Sequence, residues 1–255
     1  MNPRIRDWHG KRIWIIGAST GIGAEVAQQL LAKGALVALS ARNQQQLSRI
    51  AQSHPQALTL PLDITDHASL QAAHDQLLLI WKQLDLVLVV AGTYNAMRAT
   101  SFNLADVNHV LDVNVRGVYQ CLAVILPTLL QQGAGGIGIV GSVAGYSGLP
   151  EALAYGPSKA AVINLCESLY IDLRPRNIAV YMINPGFVAT PMTADNDFRM
   201  PALMTAPAAA QAMIKGIEQG RFHIHFPGRF TNWLRLARLL PYRSYFYLVH
   251  KVTGL

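Results

Sequence analysis

Lys11-Arg12-Ile13-Trp14-Ile15-Ile16-Gly17-Ala18-Ser19-Thr20-Gly21-Ile22-Gly23-Ala24-Glu25-Val26-Ala27-Gln28-Gln29-Leu30-Leu31-Ala32-Lys33 decides the fold. Lys11 to Ile16 is a short, mostly apolar run. A glycine-rich turn follows it directly, and then a stretch of helix formers with apolar residues at helical spacing. Strand, turn and helix in that order make a site for a dinucleotide pyrophosphate. Glycine lets the backbone turn sharply and approach a ligand, and a helix N-terminus offers unpaired N–H groups and a positive dipole end. The spacing is Gly-x-x-x-Gly-x-Gly rather than Gly-x-Gly-x-x-Gly. Glycine-rich turns also serve hairpins and tight helix entries. The placement between this strand and this helix favours the cofactor reading.

The same alternation runs on along the chain. Apolar runs at 12–17, 35–40, 57–60, 85–91, 136–141, 178–183 and 222–226 read as strands. Helical stretches lie near 22–33, 43–53, 67–82, 104–131, 152–174 and 206–219. Almost wholly apolar strands are those of a parallel sheet covered on both faces. The expected fold is α/β, a doubly wound Rossmann-like sheet of about seven strands with the cofactor across its switch point. A length of 255 residues, 51% of them hydrophobic, fits one domain, 1–255, with 227–255 as its C-terminal helical extension. Cys121 and Cys166 lack the spacing of a metal cluster and read as reduced, buried thiols, and no metal is expected. No long apolar stretch precedes the first strand and no run of eighteen apolar residues occurs. A signal peptide and a spanning helix are therefore not expected, and the chain reads as cytoplasmic.

Tyr155 and Lys159 stand four positions apart, on one face of a helix, with Ser142 thirteen positions upstream. A phenol with an ordinary pKa of about 10 is a poor acid–base group at neutral pH, and a neighbouring ammonium favours its ionised form. Lys159 is thus expected to lower the Tyr155 pKa. Ser142 is expected to hold a carbonyl oxygen while Tyr155 gives or takes the proton. Alone, the Tyr-x-x-x-Lys spacing is a common accident of helices.

With the cofactor turn, these residues resemble the short-chain dehydrogenase/reductase family over roughly positions 10 to 226. Gly17, Ser19, Thr20, Gly21, Ile22 and Gly23 fall on the family's cofactor turn. Asp63-Ile64 matches its adenine-contacting pair, and Asn114 matches the asparagine that supports a proton-relay water near the active-site lysine. Ser142, Tyr155 and Lys159 match the catalytic serine, tyrosine and lysine. Pro185-Gly186-Phe187-Val188-Ala189-Thr190 matches the segment that holds the nicotinamide amide. Two departures stand out. Val89-Val90-Ala91-Gly92 replaces Asn-Asn-Ala-Gly, keeping Ala91 and Gly92 beside the cofactor while losing an asparagine that braces the sheet. Pro157 sits inside the Tyr-x-x-x-Lys turn, where proline is tolerated in a first helical turn. The helix is accordingly expected to begin a few residues before Tyr155.

The resemblance implies hydride transfer between a nicotinamide and a substrate carbon, with Tyr155 as acid/base. Lys159 would bind the nicotinamide ribose and pass protons towards water near Asn114. The second strand ends Val37-Ala38-Leu39-Ser40-Ala41-Arg42-Asn43, without the carboxylate that would bond the ribose 2′-OH and select NAD. Arg42 can instead make charge-assisted bonds to a 2′-phosphate, so NADP(H) is expected over NAD(H). Against this stand Arg42 as a solvated turn residue and Thr20, where NADP-preferring relatives often carry a second basic residue. A non-catalytic dinucleotide-binding redox sensor or membrane-associated scaffold is the other class of reading, which the fold permits.

The last thirty-five residues hold Arg221, Arg229, Arg235, Arg238, Arg243 and Lys251 and no Asp or Glu. Trp233-Leu234-Arg235-Leu236-Ala237-Arg238-Leu239-Leu240 mixes apolar and basic residues at helical spacing, and Tyr242, Tyr245, Phe246 and Tyr247 follow Pro241. Such a segment, 230–250, can lie in a membrane interface, pack on its own domain, or meet a second subunit. Nucleic acid is not an expected partner, since aromatics on an apolar face suit burial better than base stacking. His223 and His225 share a strand face and read as polar face rather than half a metal site. Asp195 and Asp197, with Met192, Phe198, Met200, Leu203 and Met204, fall where the family carries a lid. Their apolar neighbours suggest an apolar or lipid-like carbonyl or alcohol substrate, or simply cover the lid's underside. The helices near 104–131 and 152–174 are expected to pair subunits in a homodimer or homotetramer.

Overall fold

The computed structural model describes residues 1–194 and 200–254. Asp195, Asp197 and Phe198 of the expected lid lie outside the described residues. Chain order gives β1 (Arg12–Ile16), α1 (Gly21–Ala32), β2 (Leu36–Ser40), α2 (Gln44–Ala51), β3 (Ala57–Thr59), α3 (His67–Trp81) and β4 (Leu86–Val89). Then come α4 (Leu104–Leu111), α5 (Gly117–Gln132), β5 (Gly136–Val140), α6 (Tyr155–Leu173), β6 (Ala179–Pro185), β7 (Val188–Ala189) and β8 (Met204–Thr205). The chain closes with α7 (Ala206–Glu218), β9 (His223–Phe226), α8 (Gly228–Ala237) and α9 (Tyr242–Thr253). Seven strands form one parallel sheet in the order β3-β2-β1-β4-β5-β6-β9. The order reverses between β1 and β4, the switch point where ligands of such sheets bind. Helices cover both faces, so the fold is the expected Rossmann-like one.

The strands form where β-branched and aliphatic runs can be buried on both sides. Trp14, Val87 and Ile139 join the apolar cluster on one face, with α3, α5 and α6 packed over it. Ile13, Ile15 and Leu39 join the cluster on the other, under α1 and α7. Side chains cap the entries: Asn43 accepts from Gln46 N at 3.1 Å, Asp66 from Ala68 N at 3.0 Å and Asn103 from Ala105 N at 2.9 Å. Trp14 Nε1 donates to Ser40 Oγ at 2.9 Å, satisfying two buried polar groups at once.

Three departures from the sequence reading concern helices. Residues 104–131 are not one regular helix: α4 and α5 are joined by a π-helical turn, Asp112–Arg116, that holds Asn114. The extra residue in that turn re-aims Asn114 into the protein, and π turns recur at functional sites. By length and composition alone Leu104–Gln132 could cross a membrane, but its Cys121, Ile125 and Leu129 are core residues, which is where an apolar helix of a sheet protein belongs. Next, α6 starts at Tyr155 itself, not a few residues earlier. Pro157 thus stands at the third position, where its missing N–H has no helical carbonyl to meet. Finally, Pro241 divides the tail into α8, which ends at Ala237, and α9.

One close approach sets the site. A 3-10 turn, Val143–Gly145, leaves the end of β5 and lies on the first turns of α6. A Cβ at Gly145 would stand 2.7 Å from Lys159 C and 2.8 Å from Ala160 N, both backbone atoms. Gly145→Ala is expected to lower stability by roughly 1–3 kcal/mol, the usual cost of overpacking. Urea unfolding measures this, and an unchanged midpoint would show that the two segments can part freely.

Candidate active site

The loops beyond the C-terminal ends of β1, β2, β4, β5 and β6 enclose a cleft of about 660 Å³, within the range of small-molecule sites. Its floor is the turn after β1. Gly17 N and Ala18 N donate to Ser40 O at 2.7 and 3.0 Å, which ties the turn to β2. Gly17 has φ +100°, and a Cβ there would overlap the Ala91 backbone; at Gly23 it would overlap Gly17 O. Thr20, the N-cap of α1, makes no side-chain capping bond, and no acidic residue stands in the first turn. The helix therefore keeps open N–H groups towards the cleft, the arrangement that receives an anion. Each expected cofactor residue, from the turn through Arg42, Asp63, Ile64, Ala91 and Gly92 to Pro185, Gly186, Val188 and Thr190, lines the cleft. Asp63 accepts from Thr65 N at 2.9 Å and Thr65 Oγ1 at 2.8 Å. The Thr65 N–H bond holds its carboxyl below the usual range, against a smaller opposing effect of burial, and the Arg42 charge adds to the lowering.

Ser142, Tyr155 and Lys159 meet on one wall, brought together by the end of β5 and the start of α6. Tyr155 is half-buried by exposed surface yet packed by protein all round its hydroxyl. Burial pushes its phenol above the ordinary value of 10, and a hydrogen bond with Ser142 pulls the other way. This corrects the expected direction. Lys159 Nζ does not face the phenol oxygen: it lies 5.7 Å from the Tyr155 ring centre and donates to Val140 O at 2.9 Å. Desolvation lowers the Lys159 amine to about 8. The pair as it stands is a protonated phenol beside an amine that is buried and comparatively easy to deprotonate.

Asn114, unlike the other expected residues, does not line the cleft. Fully buried, it accepts from Thr93 N at 2.8 Å and donates to Thr93 O at 2.9 Å and Ser158 Oγ at 3.0 Å. It ties the loop after β4 to α6. A Cβ at Gly92 would stand 3.3 Å from both Asn114 Oδ1 and Lys159 Nζ. The glycine thus keeps the space between them clear.

Sequence reasoning missed one neighbour of Tyr155. Tyr94, two residues past Gly92, sets its ring edge against Tyr155 at 5.1 Å. An aromatic just beyond the cofactor loop was the available signal. His223 Nε2 lies 2.8 Å from Tyr146 OH and 3.1 Å from Asn184 Nδ2. As both partners can donate, Nε2 accepts and the proton sits on Nδ1. His225 Nδ1 meets Thr231 Oγ1 at 2.6 Å, and Arg235 Nη1 lies 3.2 Å from His225 Nε2. The two rings share a face, centres 4.8 Å apart, as a polar network under α8. Among the described residues no group of three or more His, Cys, Asp or Glu could hold a metal. Cys121 and Cys166 are free, buried thiols raised to about 12 by desolvation.

Comparison with known proteins bears on these observations. A family model described as short chain dehydrogenase matches residues 11–200. An uncharacterized oxidoreductase of Myxococcus xanthus is 32% identical over 231 residues, covering 89% of this chain and 91% of the relative. One from Staphylococcus epidermidis is 32% identical over 206 residues, with 80% and 90% covered. A short chain dehydrogenase from Burkholderia cenocepacia, solved in complex with NADP, superposes with a TM-score of 0.84 at 22% identity, covering 95% of this chain and 98% of its own.

Burial, with the nearby His225 and Arg235, depresses His223 to about 4 from an ordinary 6.5. Between those pH values the unfolded chain binds a proton that the folded chain refuses. Stability therefore falls as pH drops from 6.5 to 4. Chemical denaturation across that window is expected to show a shallower loss in His223→Gln than in the parent. Equal slopes would remove His223 as the cause.

Proposed function

The chain belongs to the short-chain dehydrogenase family of oxidoreductases, and from that premise we propose that it interconverts a carbonyl and an alcohol with NADP(H), acting on an apolar substrate. The observation that carries this reading is the meeting of Ser142 and Tyr155, beside Lys159, on the wall of a cleft whose floor is the glycine turn. A dinucleotide sensor or scaffold has no use for that pair.

The residues present fit a nicotinamide dinucleotide. The turn has no room for side chains at Gly17 or Gly23, the first turn of α1 has N–H groups to give, and Thr190 closes against Gly21 from the far side. Bound there, the dinucleotide supplies or accepts the hydride. In the reducing direction Ser142 holds the carbonyl oxygen and Tyr155, kept neutral by burial, donates its proton to that oxygen. The phenolate left behind gains from the Lys159 ammonium nearby. Lys159 can yield a proton because its own burial has brought its pKa down to about 8. The space that Gly92 leaves between Lys159 and Asn114 suits a relay water. Arg42, exposed at the rim, supports the choice of NADP(H): it stands where a 2′-phosphate needs a cation, and no carboxylate ends β2.

We read the chain as one domain, 1–255, with 227–255 as its extension. Homodimer or homotetramer formation through α4, α5 and α6 is supported by Leu104, Tyr119 and Ile171, all exposed on those helices. Free buried thiols suit a reducing cytoplasm, and we infer that the enzyme works there, peripheral to the inner face of a membrane.

Tyr155→Phe is expected to keep NADPH binding, followed by fluorescence, and to lose turnover by ~10²–10⁴-fold; normal turnover would take Tyr155 out of the chemistry. Arg42→Ala is expected to raise the KM for NADPH roughly ten- to a hundredfold, the worth of a charge-assisted bond, and to leave that for NADH unchanged. A parallel rise for both cofactors would mean that Arg42 does not read the phosphate.

A further inference from the structure

The C-terminal pair α8 and α9 is amphipathic, and its apolar side is largely uncovered. Among the described residues from 227 onward only Thr231 and Tyr245 are buried. Trp233 is 74% exposed, Leu239 79%, Tyr242 81% and Val252 71%. Packing on its own domain, one of the three readings of the sequence, would have hidden these side chains. Arg229, Arg238, Arg243 and Lys251 are exposed among them, and no Asp or Glu follows Glu218. A surface that is both apolar and wholly cationic complements one that is apolar and anionic.

The pair also touches the mouth of the cleft. Tyr245 OH donates to Gly148 O at 2.7 Å, in the loop that joins Ser142 to Tyr155. That loop is pinned opposite by Arg98 Nη2 on Glu151 Oε1 at 2.7 Å. Phe230 of α8 lies against Gly186, where a Cβ would come within 3.2 Å of its ring. Leu153 on the same loop and Met192 on the cleft rim are exposed.

We propose that α8 and α9 dock on an anionic lipid bilayer, and that the cleft takes its carbonyl or alcohol substrate from that bilayer as a membrane-resident amphiphile. Trp and Tyr favour the depth of the headgroups, and aliphatic side chains reach just below it. Arginines beside them meet lipid phosphates, and a bilayer tolerates the irregular joint at Pro241 because both helices can lie in its plane. Tyr245 fastens the docked pair to Gly148, which turns the cleft mouth towards the lipid. The substrate half rests on the oxidoreductase reading; the docking half does not.

The test uses the full chain with phosphatidylcholine vesicles, with and without phosphatidylglycerol. Co-sedimentation is expected only with phosphatidylglycerol, weakening as salt rises, and about tenfold or more weaker for the double variant Arg229→Glu, Arg243→Glu. The same variant is expected to reduce a short, water-soluble ketone at the parent rate and to lose most of its rate on a long-chain ketone carried in the vesicles. Binding that ignores lipid charge or the double substitution overturns the docking. So does light scattering in which the substitutions split an oligomer while the parent ignores vesicles, since the face then belongs to a second copy. Equal rates for the parent and the variant on the vesicle-borne ketone overturn the substrate half. Reduction of neither ketone by a vesicle-bound parent defeats the oxidoreductase reading, and the membrane-fed substrate with it, while the docking stands.

Discussion

The burial of Lys159 is the constraint on which the rest of the site depends. An ammonium out of water is costly unless something polar meets it. Here the carbonyl of Val140 does so, at 2.9 Å. The bond joins the last residue of β5 to the first turns of α6, so the group that needs burial is held by the two elements that must be adjacent for Ser142 to reach Tyr155. The compensation is partial. A pKa near 8 against an ordinary 10.5 means that folding disfavours the charged amine by about 3 kcal/mol. Since the unfolded chain binds the proton more readily, stability contributed by this group rises between pH 8 and 10.5. A fold that retains such a group at neutral pH retains strain that packing alone could relieve with an aliphatic side chain.

Tyr155 follows from the same arrangement. Its phenol is raised by burial, and the nearby ammonium, turned towards Val140, does not bring it down. The sequence argument placed Lys159 on the correct face of the helix but could not tell where Nζ would point. A lysine side chain can reach several acceptors within one helical turn, and the choice depends on a carbonyl nineteen residues away. What helical spacing does determine is that the two groups share a wall.

The fold was legible because its signals are periodic and local. Apolar runs of strand length, stretches of helix formers at helical spacing and the glycine-rich turn between the first strand and helix all act over a few residues. The residues that the family resemblance pointed to for a cofactor all line the cleft. What was not legible depended on long-range packing. The π turn around Asn114 leaves no compositional trace, and its consequence, an asparagine spent on Thr93 and Ser158, is visible only once β4 and α6 are side by side. The Tyr146–His223–Asn184 network joins residues from three strand ends and could not be inferred from an alternating His-x-His.

The tail shows the same division more sharply. Its charge and its aromatics are plain in the sequence, and three occupants were compatible with them. Exposure decides against the first. A self-packed amphipathic helix hides its apolar side, and α9 hides only Tyr245. Between a second copy and a lipid surface, the charge pattern discriminates. A face meeting its own twin across a two-fold axis would set arginine against arginine with no acid on either side, and like charges at an interface repel. An anionic bilayer turns the same five cations of residues 227–255 into attraction. The lipid reading thus follows from what the tail lacks as much as from what it carries.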